Sequence, residues 1–109
     1  MPISHAVSYF FAGAFLTNSI PHLVSGVMGR PFQTPFATPR GEGLSSSTMN
    51  VWWGFFNLAV GYVLISRVGN FDLKATSDAL LLGTGGLSIA LYLARHFGRF
   101  NGGNLSQSS

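Results

Sequence analysis

An all-α integral membrane protein with three transmembrane helices, the first kinked near a proline, is the fold class this sequence predicts, and two observations predict it. The first is composition: 47% of the 109 residues are hydrophobic and 8% are charged, where a soluble globular domain carries about 25% charged residues. The second is where the charges fall. No Lys, Arg, Asp or Glu occurs in residues 1–29, 44–66 or 79–94. With their flanks, these windows supply the roughly 20 predominantly apolar residues of a bilayer-crossing helix. Residues 1–109 therefore read as one membrane domain.

The first span is expected over about residues 3–29. It lacks the basic start and small-residue cleavage site of a secretory signal, and its apolar stretch is too long for one, so it is read as retained. At about 1.5 Å per residue it exceeds the roughly 30 Å hydrocarbon core and has to tilt or bend. Pro21 is the expected hinge, because it has no N–H for the carbonyl of Thr17 and its ring crowds that carbonyl.

The loop over about residues 30–48 opens on a near-repeat, Pro31, Phe32, Gln33, Thr34 followed by Pro35, Phe36, Ala37, Thr38, and closes with Pro39. Prolines this dense favour extended, polyproline-like backbone, here expected to lie along the membrane surface. Ser47 or Thr48 is the expected N-cap of the second span, about residues 49–66. That span carries Gly54, Asn57 and Gly61 on one face, suited to close approach of another helix. The third span is expected over about residues 77–97, capped by Ser77 or Asp78, with a small-residue ridge of Gly86, Ala90 and Ala94 and a parallel one begun by Ala79 and Gly83. The polar tail, residues 101–109, is expected to be disordered.

Charge also sets orientation. Arg30, Arg40, Arg95 and Arg99 fall in the first loop and at the C-terminal end, against Arg67 and Lys74 in the second turn. Four against two favours the first loop and the C-terminus in the cytoplasm. Arg30, Arg40, Arg95 and Arg99, with Trp52 and Trp53, are the expected lipid-interface residues. The net charge of +3 is spread over loops and ends. It forms no basic stripe that would track nucleic-acid phosphates, so no nucleic-acid partner is expected.

The chemistry available is sparse. Cysteine is absent, which removes disulfides, thiol nucleophiles and thiolate metal sites. His5, His22 and His96 are read at three different depths, so neither a bis-histidine haem nor a zinc site is expected. No serine has a histidine and carboxylate in a recognisable hydrolytic pattern, and no Gly-Lys-Ser/Thr phosphate loop occurs. The expectation is a chain with no catalytic residue, metal or cofactor. What remains is a polar set in the inner half of the bilayer. At 1.5 Å per residue His22 lies about 10 Å deep, Asn18 about 16 Å, Asn57 about 12 Å and Ser88 about 13 Å, so these four are expected to meet. Two readings of them stay open. An intramembrane histidine suggests a ligand or proton site, whereas Asn and His also serve simply to hydrogen-bond helices together.

The phrase Asn18-x-x-Pro21-His22, followed by Gly26, Gly29, Arg30, Pro31, Phe32, Thr34, Pro35, Phe36 and Ala37, and then Asn50, Trp52, Gly54, Asn57 and Leu58, resembles a group of small bacterial membrane proteins. The resemblance covers about the first two thirds of the chain and implies a bacterial inner-membrane location, with no activity attached. In architecture alone the chain is also similar to half-transporters of the SemiSWEET type, which have about this length, three spans and a proline in the first helix. His22 stands where their Pro-Gln signature has glutamine, so sugar transport is not implied. Two functions are compatible with this reading. One is a non-enzymatic scaffold or accessory subunit, bound to the bilayer and associating with itself or with other membrane subunits. The other is a homo-oligomeric transporter or channel with a polar site at Asn18, His22 and Asn57.

Overall fold

The first of the long segments lies in the middle of the fold. In the computed structural model, which describes residues 1–105, three helices form: α1 (Ile3–Val27), α2 (Ser47–Ser66) and α3 (Thr76–Asn101). A two-residue antiparallel ladder joins β1 (Phe32–Gln33) to β2 (Leu44–Ser45), pairing Phe32 with Ser45 and Gln33 with Leu44. α1 packs against both α2 and α3, which make no comparable contact with each other, giving the order α2, α1, α3. α2 and α3 are long and apolar enough to cross a membrane. α1 carries Ser8, Asn18, Ser19 and His22, and these are the side chains it turns toward its neighbours.

The distribution of polarity is the reverse of that in a water-soluble protein. Among the described residues the buried hydrophobic side chains are Tyr9 and Ala12, while Ser19, His22, Thr34, Asn50 and Asn57 are each 2% exposed or less. The large apolar side chains, Phe55, Phe56, Leu80, Leu87 and Leu91 among them, face outward. Charged ends and apolar flanks leave the interior to small and amide-bearing residues, and close helix approach follows from that. Gly54 and Gly61 of α2 sit against Leu23 and Leu16 of α1, where an added Cβ would lie 2.6 Å from each leucine's Cγ. On the other side, Gly13 meets the Leu82 carbonyl and Gly85 meets the Phe10 carbonyl, backbone against backbone. The α3 ridge differs from the expected one: Gly85 and Gly86 make the contact, Gly83 faces open space and Ala94 is exposed.

Helix ends explain the boundaries. α1 runs unbroken through Pro21 and ends in a Schellman motif, with Gly29 at φ 73°, its N–H on the Gly26 carbonyl and the Arg30 N–H on the Ser25 carbonyl. α2 begins at Ser47, two residues before the expected start at 49, and Ser46 rather than Ser47 or Thr48 is the N-cap, its Oγ accepting from the Met49 N–H at 3.1 Å. α3 has no side-chain cap at its start. Asp78 is instead buried in its first turn, accepting from the Asp72 N–H at 2.9 Å and so tying down the 67–75 turn. At the far end α3 extends past residue 97 to Asn101 and is closed by Gly102 at φ 80°. The expected disordered tail therefore starts as helix. Asn104 then folds back, its Nδ2 donating to the Arg95 carbonyl at 2.9 Å, and residues 106–109 lie outside the described residues.

The first loop also differs from its expected extended form. Prolines four residues apart leave room for turns, and Pro35 takes the second position of one, with the Ala37 N–H on the Thr34 carbonyl. A second turn starts at Pro39, where the Glu42 and Gly43 N–H groups both point to the Pro39 carbonyl. The Thr34 and Ser45 hydroxyls share a 2.5 Å hydrogen bond across the ladder. The result is a folded cap over one end of the helices.

Candidate functional site

Hydrogen bonds cross from α1 to α2 at three levels: Ser8 Oγ donates to the Leu64 carbonyl at 2.6 Å at the end away from the cap, and two further rungs lie nearer the loop. Asn18 Nδ2 donates to Asn57 Oδ1 at 2.9 Å, and Asn57 Nδ2 donates in turn to the Trp53 carbonyl at 2.8 Å. One turn nearer the loop, His22 Nδ1 meets Asn50 Oδ1 at 2.7 Å. Asn50 Nδ2 points to three carbonyls, Phe32 at 3.2 Å, Ser45 at 3.2 Å and Ser46 at 3.0 Å. Carbonyls only accept, so the Asn50 NH₂ must face them and its oxygen must face His22. His22 therefore donates through Nδ1 and keeps its lone pair on Nε2.

The cap is fastened from the other side by α3. His96 Nε2 donates to the Gly41 carbonyl at 2.6 Å, and Asn101 Nδ2 donates to Gln33 Oε1 at 3.1 Å. Between α1, Trp53 of α2, the end of α3 and the underside of the cap lies a cavity of about 200 Å³. Asn18, His22, Gln33, Thr34 and His96 supply its polar wall, and Trp53, Tyr92 and Phe97 its aromatic one. His22 is set edge-on to Phe32, Phe97 and Trp53, with ring centroids 5.6, 6.1 and 6.3 Å away.

Of the residues singled out from the sequence, Asn18, His22 and Asn57 come together and Ser88 does not. Ser88 is exposed. Its depth is comparable, but it lies two residues beyond Gly86, which faces α1, and two residues turn a helix by about 200°, to the opposite side. Pro21 adjoins the site on α1. Arg30, Arg40, Arg95 and Arg99 are all exposed at the capped end, and Trp52 is 71% exposed on the outer side of α2. Trp53 is turned inward by comparison, packing on Phe36 at 4.9 Å and lining the cavity. His5 sits at the other end of α1, against Gly69 and Tyr9.

The residues that sequence reasoning passed over are Asn50, Gln33 and Asn101. Asn50 had a legible signal: it is seven residues, about two turns, before Asn57 and shares its face with Gly54 and Gly61. Gln33 and Asn101 had none, since their meeting depends on the cap's fold. Among the described residues no group of three or more His, Cys, Asp or Glu stands together to hold a metal ion. What the arrangement offers chemically is imidazole nitrogen from His22 and His96, amide donors and acceptors, and flat apolar walls. No protein-family model, curated protein or solved structure matches the chain.

Proposed function

We propose that the chain is a non-enzymatic membrane module, a scaffold or accessory subunit, in which α1 is a third span running between the other two and bent near Pro21. One observation carries this reading: polar side chains are buried and hydrogen-bonded between helices while the apolar ones face outward. In hydrocarbon such bonds fasten helices, each contributing about 0.6 kcal/mol on average. The four arginines at the capped end favour that end in the cytoplasm of a bacterial inner membrane. The small residues that α1 leaves uncovered on α3, Gly83 and Ala94, suit contact with a second copy or another subunit.

The span count is testable directly, because the chain has no cysteine to remove. Single cysteines at Pro2 and Glu42 are expected to react with an impermeant maleimide from opposite sides of the membrane. Reaction from the same side would show that α1 does not cross.

A second reading, a homo-oligomeric transporter or channel, is favoured by the cavity that Asn18 and His22 line. Against it, the backbones of α1 and α3 are in close contact at Gly13 and Gly85. Proteoliposomes separate the two. The module reading expects stopped-flow permeability to urea, glycerol and small sugars equal to that of empty vesicles. An increase abolished by His22→Ala would replace the module with the transporter.

A further inference from the structure

The cavity under the cap has properties that fastening helices does not require. No buried side-chain nitrogen or oxygen among the described residues lacks a partner. His22 Nε2 has none among the described residues, so it keeps contact with the cavity that His22 lines. Gln33 repeats the pattern: it is 4% exposed, its Oε1 is taken by Asn101, and its Nε2 group has no partner among the described residues. A lone pair and an N–H donor are thus presented to one space by two almost fully buried side chains, each held in place by its other end.

The walls narrow the ligand. No Asp, Glu, Lys or Arg among the described residues lines the cavity, so an ion would be desolvated there without a counter-charge. An anion would face the lone pair of His22. A volume of about 200 Å³ is that of roughly seven waters at about 30 Å³ each, and Trp53 and Phe97 offer flat faces and edges to a ring. The exposed lining residues are Pro35 in the cap and Tyr92, which is 60% exposed beside exposed Leu91 on the apolar flank of α3, so the cavity is reached where the cap meets that flank.

We infer that this cavity binds a neutral, hydroxyl-bearing aromatic ring of the phenol or hydroquinone type. The ring hydroxyl donates to His22 Nε2, a ligand oxygen accepts from Gln33, and the ring packs among Trp53 and Phe97. The inference goes beyond helix fastening and rests on the reading that the helices cross a bilayer. The maleimide experiment tests bilayer crossing independently of ligand binding.

Protein in lipid nanodiscs, with ¹⁵N-labelled histidine, is titrated with 4-decylphenol and with 4-decylanisole, whose methyl ether removes only the donor. The expected result is a saturable shift of the His22 Nε2 resonance with the phenol, and a midpoint about tenfold higher or unreachable with the ether. Equal midpoints, or no saturable shift with the phenol, would overturn the site. His22→Phe is expected to abolish saturable phenol binding, but it also strips Asn50 of its partner, so the two probes on the unmodified protein carry the test. A third probe, 4-methylphenol added from water, distinguishes sources. Saturation at lower total concentration by the tailed phenol assigns a lipid-borne ligand, parity assigns a free phenol, and either supports the ring site.

Discussion

Gly85→Ala is expected to destabilise the protein by about 3 kcal/mol, at the upper end of what overpacking costs, although it adds a single methyl group. The new Cβ runs into the carbonyl oxygen of Phe10. A collision with a side chain can be relieved by a rotamer change, but this one is with the backbone of α1. The two helices must separate, and the contacts around Gly13 and Gly86 loosen with them. Gly83→Ala is the control. No atom lies within 4 Å of its Cβ, and alanine is the better helix former by up to about 1 kcal/mol. Unfolding in mixed micelles with increasing SDS would give both values. A Gly85→Ala variant as stable as Gly83→Ala would mean that α1 and α3 are not in backbone contact.

Asn50→Leu is expected to cost about 3 kcal/mol as well, by a different route. The leucine fills similar space, so little cavity forms. It leaves His22 Nδ1 without its acceptor and removes the donor shared by the Phe32, Ser45 and Ser46 carbonyls. Each buried group left unpaired costs about 1–3 kcal/mol. The total stays below the simple sum because the Ser46 carbonyl still accepts from the Asn50 N–H at 3.0 Å. The effect should also be localised to the cap. With its three-carbonyl anchor gone, the cap opens and trypsin cleavage at exposed Arg40 accelerates. Asn57→Leu, which removes one inter-helix bond, is expected to cost about 1 kcal/mol and to leave Arg40 protected. Equal protease sensitivity of the two variants would show that Asn50 does not hold the cap.

The two substitutions differ in how visible their sites are in sequence. Gly85 sits beside Gly86, and small-residue spacing pointed to Gly86. The helix that approaches uses both, and a spacing rule cannot decide a rotation of about 100° between neighbours. Asn50 shares the face of Gly54, Asn57 and Gly61, but helical spacing does not show that it reaches back under the cap, which depends on the loop's fold. Ser88 failed for the complementary reason. Depth along a helix follows from counting residues, whereas the side on which a residue stands depends on where the neighbouring helix lies.

What the sequence determined by itself was set by sums over local windows. Helix number and approximate span, the polar turns between helices, the small-residue face of α2 and the meeting of Asn18 with Asn57 all follow from apolar runs, charge-free stretches and helical spacing. That α1 lies between α2 and α3 is a tertiary outcome, because the order depends on one helix fitting two neighbours at once, by side-chain hydrogen bonds toward α2 and by glycine backbone contacts toward α3. The cap is another such outcome. The turns begun by Pro35 and Pro39 and the anchors from Asn50, His96 and Asn101 bring together residues as far apart as Gln33 and Asn101. No local window contains both partners of the His96–Gly41 or the Asn101–Gln33 bond, and these two join the cap to α3.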